Sequence, residues 1–163
     1  MRDALPCGES NIRKVYDEHA QMLYRIAFTY MKNRYDSEDA LQECFVRYLR
    51  SSPVFRDAQH EKGWLILTVT NICRDMLKSR HRQYENLEDH TDLSLPPPET
   101  DELMEAILKL PDRYKTSIYL YYYEGYSVKE VAAMLHQPTN TIKTWLARAR
   151  KQLKNELGGD LDA

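Results

Sequence analysis

The sequence SVKEVAAMLHQPTNTIKTWLARARKQL (Ser127–Leu153) has the pattern of a short helix, a tight turn and a longer helix. Ser127 is a favourable N-cap, and Glu130 three residues later completes a capping-box signature. Pro138 lies in the predicted turn, and apolar residues repeat with helical spacing on both sides of it. The positions that can pack the two helices together are Val131, Ala132, Leu135, Ile142 and Trp145. The stretch therefore predicts a helix-turn-helix, whose second helix enters the major groove of DNA by its N-terminal end.

The predicted second helix carries polar and basic side chains that suit DNA. The candidate contacts to base edges and phosphates are Thr139, Asn140, Thr141, Lys143, Thr144, Arg148 and Lys151. No acidic residue interrupts the cations between Lys143 and Lys154. The alternative is a solvated helix face whose cations suit the negative end of the helix dipole. That alternative leaves the short capped helix before the turn unexplained.

Three further amphipathic helices are predicted in the first half of the chain, because apolar residues recur there at i, i+3, i+4 and i+7. The first helix runs from about residue 11 to residue 31. The second begins at Asp36 or Ser37, both good N-caps, and ends before Pro53. The third runs from near Gly63 to about residue 82.

An acidic segment follows the third helix. No lysine or arginine occurs between Gln83 and Ala106, and three consecutive prolines at 96–98 favour an extended chain. A linker of about 18 residues would span roughly 25 Å as a coil and about 60 Å when fully stretched. Beyond it, an amphipathic stretch ends at Pro111 and a tyrosine-rich helix runs from Asp112 to about residue 123.

These elements together predict an all-α protein. Two small helical domains, residues 11–82 and 101–157, are joined by an acidic, proline-containing linker at residues 83–100, and the second domain contains the helix-turn-helix. Since a linker of this length reaches from roughly 25 Å to about 60 Å, the two domains can act on sites one to two DNA turns apart, at roughly 34 Å per turn.

Two charged helix faces in the first domain are further candidates. The end of the third helix presents a mainly basic stripe that could follow a phosphate backbone: Asn71, Arg74, Asp75, Lys78, Arg80 and Arg82. The second helix presents an acidic face: Glu38, Asp39, Gln42 and Glu43. On spacing alone an ordinary solvated face explains the acidic set better, and it stays open as an alternative for the basic set.

Composition excludes several other classes. Cys7, Cys44 and Cys73 are far apart and odd in number, which argues against a disulfide framework or a zinc site. We find no nucleophile–base pair, phosphate loop or metal-ligand spacing, and therefore predict no catalytic site, no metal and no cofactor: the protein is not expected to be an enzyme. No apolar run is long enough to span a membrane and no signal peptide is recognisable, so we expect a cytoplasmic protein without membrane insertion.

Three stretches resemble the extracytoplasmic-function (ECF) group of the sigma-70 family of RNA polymerase sigma factors. SEDALQECFVRYLR (Ser37–Arg50) is similar to the family's acidic helix, GWLILTVTNICRDMLKSRHR (Gly63–Arg82) to its helix for the minus-ten element, and residues 110–153 to its C-terminal domain. Together the likeness covers about residues 11–157, nearly the whole chain.

The resemblance implies a function for each charged surface. The acidic face of the second helix would dock on the β′ coiled coil of core RNA polymerase. The basic end of the third helix would recognise the minus-ten promoter element and help to open the DNA there. The helix-turn-helix domain would read the minus-thirty-five element and touch the β flap. Members of the group are often held inactive by an anti-sigma factor, so such a partner is also expected.

Two other readings of the sequence stay open. A helix-turn-helix regulator with a sensory N-terminal bundle would bind duplex DNA on its own, as a dimer. An antagonist that mimics the fold would bind polymerase or a sigma factor but no promoter. The acidic face around Glu38–Glu43 favours the sigma-factor interpretation, because an independent regulator has no need of it.

Overall fold

A computed structural model of the protein describes residues 9–83 and 101–158, and in these two ranges it contains seven helices and no strand. The helices are α1 (Glu9–Met31), α2 (Arg34–Ser51), α3 (Ala58–Gln83), α4 (Glu102–Leu108), α5 (Asp112–Tyr122), α6 (Val128–Leu135) and α7 (Thr139–Leu157). The predicted all-α fold is confirmed. Most of the predicted linker lies outside the described residues, as do the side chains of Arg80 and Arg82.

Helix α2 begins earlier than the sequence suggested. Its N-cap is Asn33, whose side-chain oxygen accepts a hydrogen bond from the backbone N–H of Asp36 at 2.8 Å. Asp36 and Ser37, the predicted caps, lie inside the first turns and are buried. The prediction was wrong because three good capping residues stand within five positions, and tertiary packing decided among them.

Helix α3 also begins earlier, at Ala58 rather than near Gly63. The Asp57 side chain accepts a hydrogen bond from the backbone N–H of His60 at 2.8 Å, which stabilises the new start. Gly63 was taken as a boundary but is a buried position within the helix. A β-carbon there would lie 3.6 Å from Cγ of Met134, an ordinary van der Waals distance, so α6 packs against α3 at this position.

The helix-turn-helix is confirmed in detail. The Ser127 hydroxyl accepts a hydrogen bond from the backbone N–H of Glu130, and the Glu130 carboxylate accepts one from the backbone N–H of Ser127. These two bonds form the predicted capping box. His136 adopts the left-handed conformation, with a φ of 55°, and ends the helix. Apolar side chains from α6 and α7 then close the small core: Val131, Ala132, Leu135, Ile142, Leu146, Ala149 and Leu153.

We expect Ser127→Ala to destabilise the protein by about 1 kcal/mol, because two backbone N–H groups at the start of α6 depend on the capping box. The measurement is urea unfolding followed by circular dichroism. Ser79→Ala, an exposed helical serine in α3, is the control and should change the free energy of unfolding by less than about 0.5 kcal/mol. Equal unfolding midpoints for Ser127→Ala and the unmodified protein would contradict the role of the cap.

Helices α1–α3 form the first domain and α4–α7 the second. The two domains are in contact through α1 with α5 and through α3 with α6. Buried polar residues lie at this boundary, and one of them is Lys115, which is only 1% exposed and donates a hydrogen bond to the backbone oxygen of Thr29 at 2.6 Å. The sequence had indicated two independent units and did not predict this contact.

Candidate nucleic-acid interface

The N-terminal half of α7 presents the residues predicted to contact DNA. Thr139, Asn140, Lys143 and Thr144 are exposed, and Thr141 is half-buried. Pro138 precedes the helix and provides no side-chain cap. Its carbonyl accepts hydrogen bonds from the backbone N–H groups of Thr141 at 3.0 Å and Ile142 at 3.2 Å, so the N–H groups left for a phosphate are those of Thr139 and Asn140. This end of the helix therefore offers both donors and positive charge to DNA.

Further along α7, Arg148 and Lys151 are exposed on the same side of the helix as Asn140 and Thr144. The opposite face is buried in the domain core by Ile142, Leu146, Ala149 and Leu153. Since α6 anchors that face, α7 is held with its polar stripe outward. The structure thus brings all seven predicted α7 residues onto one helix, six of them exposed.

One α7 cation has a structural task that the sequence did not reveal. Arg150 is half-buried, its Nε donates a hydrogen bond to the hydroxyl of Tyr122 at 3.0 Å, and its guanidinium lies 5.2 Å from the ring centre of Tyr121. Cation–π and hydrogen-bond contacts of this kind hold α7 against α5. The basic stripe facing solvent is therefore narrower than the run of cations suggested.

The described part of the predicted basic surface of α3 ends at Lys78. Asn71, Arg74, Asp75 and Lys78 are all exposed. Their spacing of three, four and seven residues places them on one side of α3. The opposite side of this helix segment is packed in the first domain by Ile72 and Cys73, which fixes the direction in which the basic stripe points.

A cleft beside this stripe was not predicted. It is open to solvent, has a volume of about 390 Å³, and is lined by Arg47, Arg50, Ser51, Trp64, Thr68 and Asn71. Trp64 forms one wall and is itself held edge-on against Tyr48, with 5.9 Å between the ring centres. An aromatic wall with an amide and two guanidinium groups can stack and hydrogen-bond a base displaced from the double helix.

The cleft could not be found from single-helix patterns, because its two walls come from different elements. The end of α2 contributes Arg47 and Arg50, whereas α3 contributes Trp64 and Asn71. Trp64 is half-buried, as an aromatic residue at the wall of an open cleft must be. The only sequence signal was the coincidence of a tryptophan and Asn71 two turns apart on α3.

The acidic face of α2 is exposed at Glu38, Asp39 and Gln42 and half-buried at Glu43. Two of its carboxylates pair within the helix: Arg34 Nε lies 2.9 Å from Glu38 Oε2, and Arg47 Nε lies 3.1 Å from Glu43 Oε2. Large apolar side chains are exposed on the same helix: Tyr35, Val46 and Leu49. The helical spacing of Leu49 predicts a buried position, and that prediction is wrong. Acidic and apolar groups together are typical of a protein-binding surface.

The described residues offer little for catalysis. Within residues 9–83 and 101–158, no three His, Cys, Asp or Glu side chains are arranged to hold a metal ion. Burial raises the pKa of the Cys44 and Cys73 thiols to about 12, so neither is a ready nucleophile. In the same ranges no helix is long and apolar enough to cross a membrane.

Comparison with known proteins agrees with this geometry. Residues 15–83 match the family model for sigma-70 region 2, and residues 100–153 match that for sigma-70 region 4. The chain is 33% identical over 145 residues to the RNA polymerase sigma factor SigV of Bacillus subtilis (strain 168), covering 86% of this chain and 87% of that protein. It is 26% identical to the ECF RNA polymerase sigma factor SigW of the same strain, covering 88% of this chain and 87% of SigW.

The fold is shared with solved structures. The sigma factor RpoE in the co-crystal with the anti-sigma factor NepR from Bartonella quintana superposes with a TM-score of 0.74 at 19% identity, covering 93% of this chain and 99% of that one. CnrH, in complex with the cytosolic domain of CnrY, gives a TM-score of 0.66 at 20% identity, covering 94% and 91%. With the matches to both sigma-70 regions and the identity to SigV over most of both proteins, the chain belongs to the ECF group of the sigma-70 family, the sigma factors that direct RNA polymerase to initiate transcription.

Proposed function

We propose that this sigma factor binds core RNA polymerase through the acidic face of α2 and places two DNA-reading surfaces on one promoter. The observation that carries the proposal is the coexistence of two exposed, basic helix surfaces, residues 71–78 of α3 and 139–151 of α7, on separate domains of one chain. In this division residues 11–82 bind polymerase and the minus-ten element, residues 83–100 link, and residues 101–157 read the minus-thirty-five element. The matched family regions support these boundaries.

Two weak readers on one scaffold explain why the chain needs polymerase. A single good base contact contributes about 1–3 kcal/mol of discrimination, and a small basic module mainly binds phosphates in a salt-dependent way. Once both domains are tethered to the same large partner, the second contact becomes intramolecular and the effective concentration of that reader rises. On this basis the chain by itself binds promoter DNA poorly.

The decisive experiment adds the purified chain to core RNA polymerase and maps the transcripts. Transcripts starting at defined promoters, absent with core polymerase alone, are the expected result. If the mixture gives only the nonspecific transcripts of core polymerase, across promoters taken from the chain's own genome, the proposed function is wrong.

Near the minus-ten element, the cleft between α2 and α3 would receive a displaced base. Trp64 offers a stacking surface, while Asn71 lies both in the cleft and at the start of the basic stripe. Strand separation costs roughly 1.4 kcal/mol per base step in lost stacking. Capture of one base would offset part of that cost, so this surface acts mainly in promoter opening rather than in first binding.

We therefore expect Arg74→Ala to reduce promoter opening by about tenfold while initial complex formation changes by less than threefold, since one lost charge-assisted contact is worth about 1.5–3 kcal/mol. Permanganate reactivity of unpaired thymines measures opening, and gel shift at low temperature measures initial binding. Arg13→Ala, an exposed arginine of α1, is the matched control. Normal permanganate reactivity in Arg74→Ala would refute the role given to this face.

The partners follow from the same proposal. They are the β′ coiled coil for α2, the β flap for the second domain, and promoter DNA. The RpoE structure is a complex with the anti-sigma factor NepR, which supports an anti-sigma partner for this chain as well. The protein would act in the cytoplasm with polymerase, as an initiation factor and not as an enzyme.

A further inference from the structure

Helix α7 carries an aromatic residue that the seven candidate DNA contacts leave out. The spacing of Trp145 predicts a side chain packed between α6 and α7, and in the structure the indole packs against the core but is only half-buried. Ile142 and Leu146, on the apolar side of the same helix, are fully buried. Part of the largest side chain of α7 therefore faces solvent on the helix that is expected to enter the major groove.

The exposed part of the indole lies next to predicted DNA contacts. Thr141 is one turn before Trp145 and Arg148 is three residues after it, so the three side chains share one flank of the helix. A helical side chain lies over the turn that precedes its own Cα, so the indole extends towards Thr141 and the N-terminal end of α7. The partial burial of Thr141 agrees with this direction. If Thr141 and Arg148 both reach DNA, the indole lies against the same groove.

The side chains around the indole leave room for DNA to approach it. Thr141 and Thr144, which flank it towards the N-terminal end, are short, and the first acidic residue of α7 is Glu156, 11 residues after Trp145. Since the other edge of the indole packs against the domain core, the side chain loses little conformational freedom when DNA binds. A fixed apolar surface thus lies among the polar and basic groups of α7.

One of the groups that the major groove presents suits an apolar ring. Base edges there carry hydrogen-bond donors and acceptors, and the exception is the 5-methyl group of thymine. Packing that methyl on the indole removes apolar surface from water, and burial of one methyl-sized group is worth about a factor of four in affinity. Cytosine lacks the methyl and presents an amino group, whose hydration the ring would displace without offering an acceptor. The indole therefore favours thymine over cytosine.

We propose that Trp145 is a specificity-determining residue, and that its indole packs on the 5-methyl group of a thymine in the minus-thirty-five element. The inference rests on the proposed function, because it requires that α7 reads this element. The hydroxyl, amide and cationic side chains of α7 read phosphates and the hydrogen-bonding groups of bases. Trp145 adds the apolar contact that those side chains leave out.

Replacing thymine by uracil in the DNA tests the proposal, since uracil lacks only the methyl group. Core polymerase with the unmodified chain is bound to a promoter mapped in the transcription experiment. Each thymine of the upstream element, on either strand, is replaced in turn by deoxyuridine, and competition gel shift measures the relative affinities. We expect one thymine, or two adjacent ones, at which uracil weakens binding by about fourfold. Thymines between the two promoter elements, replaced in the same way, are the control and should leave the affinity unchanged.

Trp145→Ala should abolish the difference between thymine and uracil at that position. The comparison is between two DNAs bound by the same protein, so a loss of stability or of overall affinity in the variant does not affect it. Trp145→Phe keeps an aromatic ring and should retain part of the preference. Thr144→Ser removes a methyl group from the neighbouring exposed side chain and should retain the whole preference of about fourfold.

Two results would overturn the assignment. One is a uracil effect smaller than about twofold at every thymine of the element. The other is a uracil effect that Trp145→Ala leaves unchanged, which would give the methyl contact to another side chain. An indole N–H that donates to a phosphate would produce the first result, with Trp145→Ala losing affinity equally for both DNAs. Failure of the proposed function is different, since polymerase with the unmodified chain would then not bind or initiate at defined promoters.

Discussion

The double variant Lys143→Ala/Arg148→Ala is expected to lower occupancy of the minus-thirty-five element by about 100-fold or more, because each cation supplies a charge-assisted contact to a phosphate worth about 1.5–3 kcal/mol. Both residues are exposed on the outward face of α7, so the substitutions leave the core of the helix-turn-helix intact. The measurement is a footprint of the polymerase complex over the upstream element at several salt concentrations. Loss of two phosphate contacts should also reduce the slope of the logarithm of the binding constant against the logarithm of salt concentration by about 0.9 per contact.

Arg150→Gln is the matched control for this experiment. The substitution removes one positive charge from the same helix. In the unmodified protein, however, the Arg150 guanidinium contacts Tyr121 and Tyr122 and does not belong to the outward stripe. We expect this control to lower the free energy of unfolding by about 1 kcal/mol and to leave the salt dependence of binding unchanged. If the double variant and Arg150→Gln lose upstream occupancy equally, general charge and not the outward stripe governs binding.

The helix-turn-helix could be predicted almost completely because its signals are local. Ser127 and Glu130 define a start, Pro138 defines a turn, and the spacing of Ile142 and Leu146 defines the buried face. Each of these depends on residues at most four positions apart, so no tertiary information was required.

The starts of α2 and α3 could not be predicted in the same way. Asn33 competed with Asp36 and Ser37 as a cap, and only the burial of the latter two decided the outcome. Gly63 looks like a helix boundary in the sequence, but it lies inside α3, where Met134 of the other domain packs against it. Capping preferences and residue spacing indicate several possible helix starts, but they do not decide which of them the folded protein uses.

The remaining surprises all involve residues that are distant in the sequence. Lys115 and Thr29 are 86 residues apart, and a lysine near the start of a helix is ordinarily exposed. Its burial lowers its pKa, although Asp112 opposes that shift. The cleft between α2 and α3 and the contacts of Arg150 each join residues of different helices. Neither can be predicted without knowing how those helices pack.

We expect substitutions on the acidic face of α2 to reduce transcription more than those on either DNA-reading surface, because in the proposed function every promoter contact requires binding to polymerase. Glu38→Lys is expected to weaken binding to core polymerase by about 100-fold or more, since a like charge placed against a complementary surface costs several kcal/mol. Transcription should fall equally at all promoters, unlike the element-specific losses expected from α7. Fluorescence titration of labelled protein with core polymerase measures the affinity.

The fold should tolerate this reversal, which is why the effect can be assigned to binding. Glu38 is exposed, and its pairing with Arg34 is a surface i, i+4 contact worth roughly 0.3–0.5 kcal/mol. Glu18→Lys on α1 reverses the charge of a similarly exposed glutamate outside the acidic face and serves as the control. Unchanged affinity in Glu38→Lys, or an equal loss in Glu18→Lys, would show that polymerase does not recognise this face.

Because the exposed Val46 and Leu49 extend the same surface, a charged partner alone would leave apolar area uncovered. We therefore expect the acidic residues to orient the docking and the apolar residues to add affinity once contact is made.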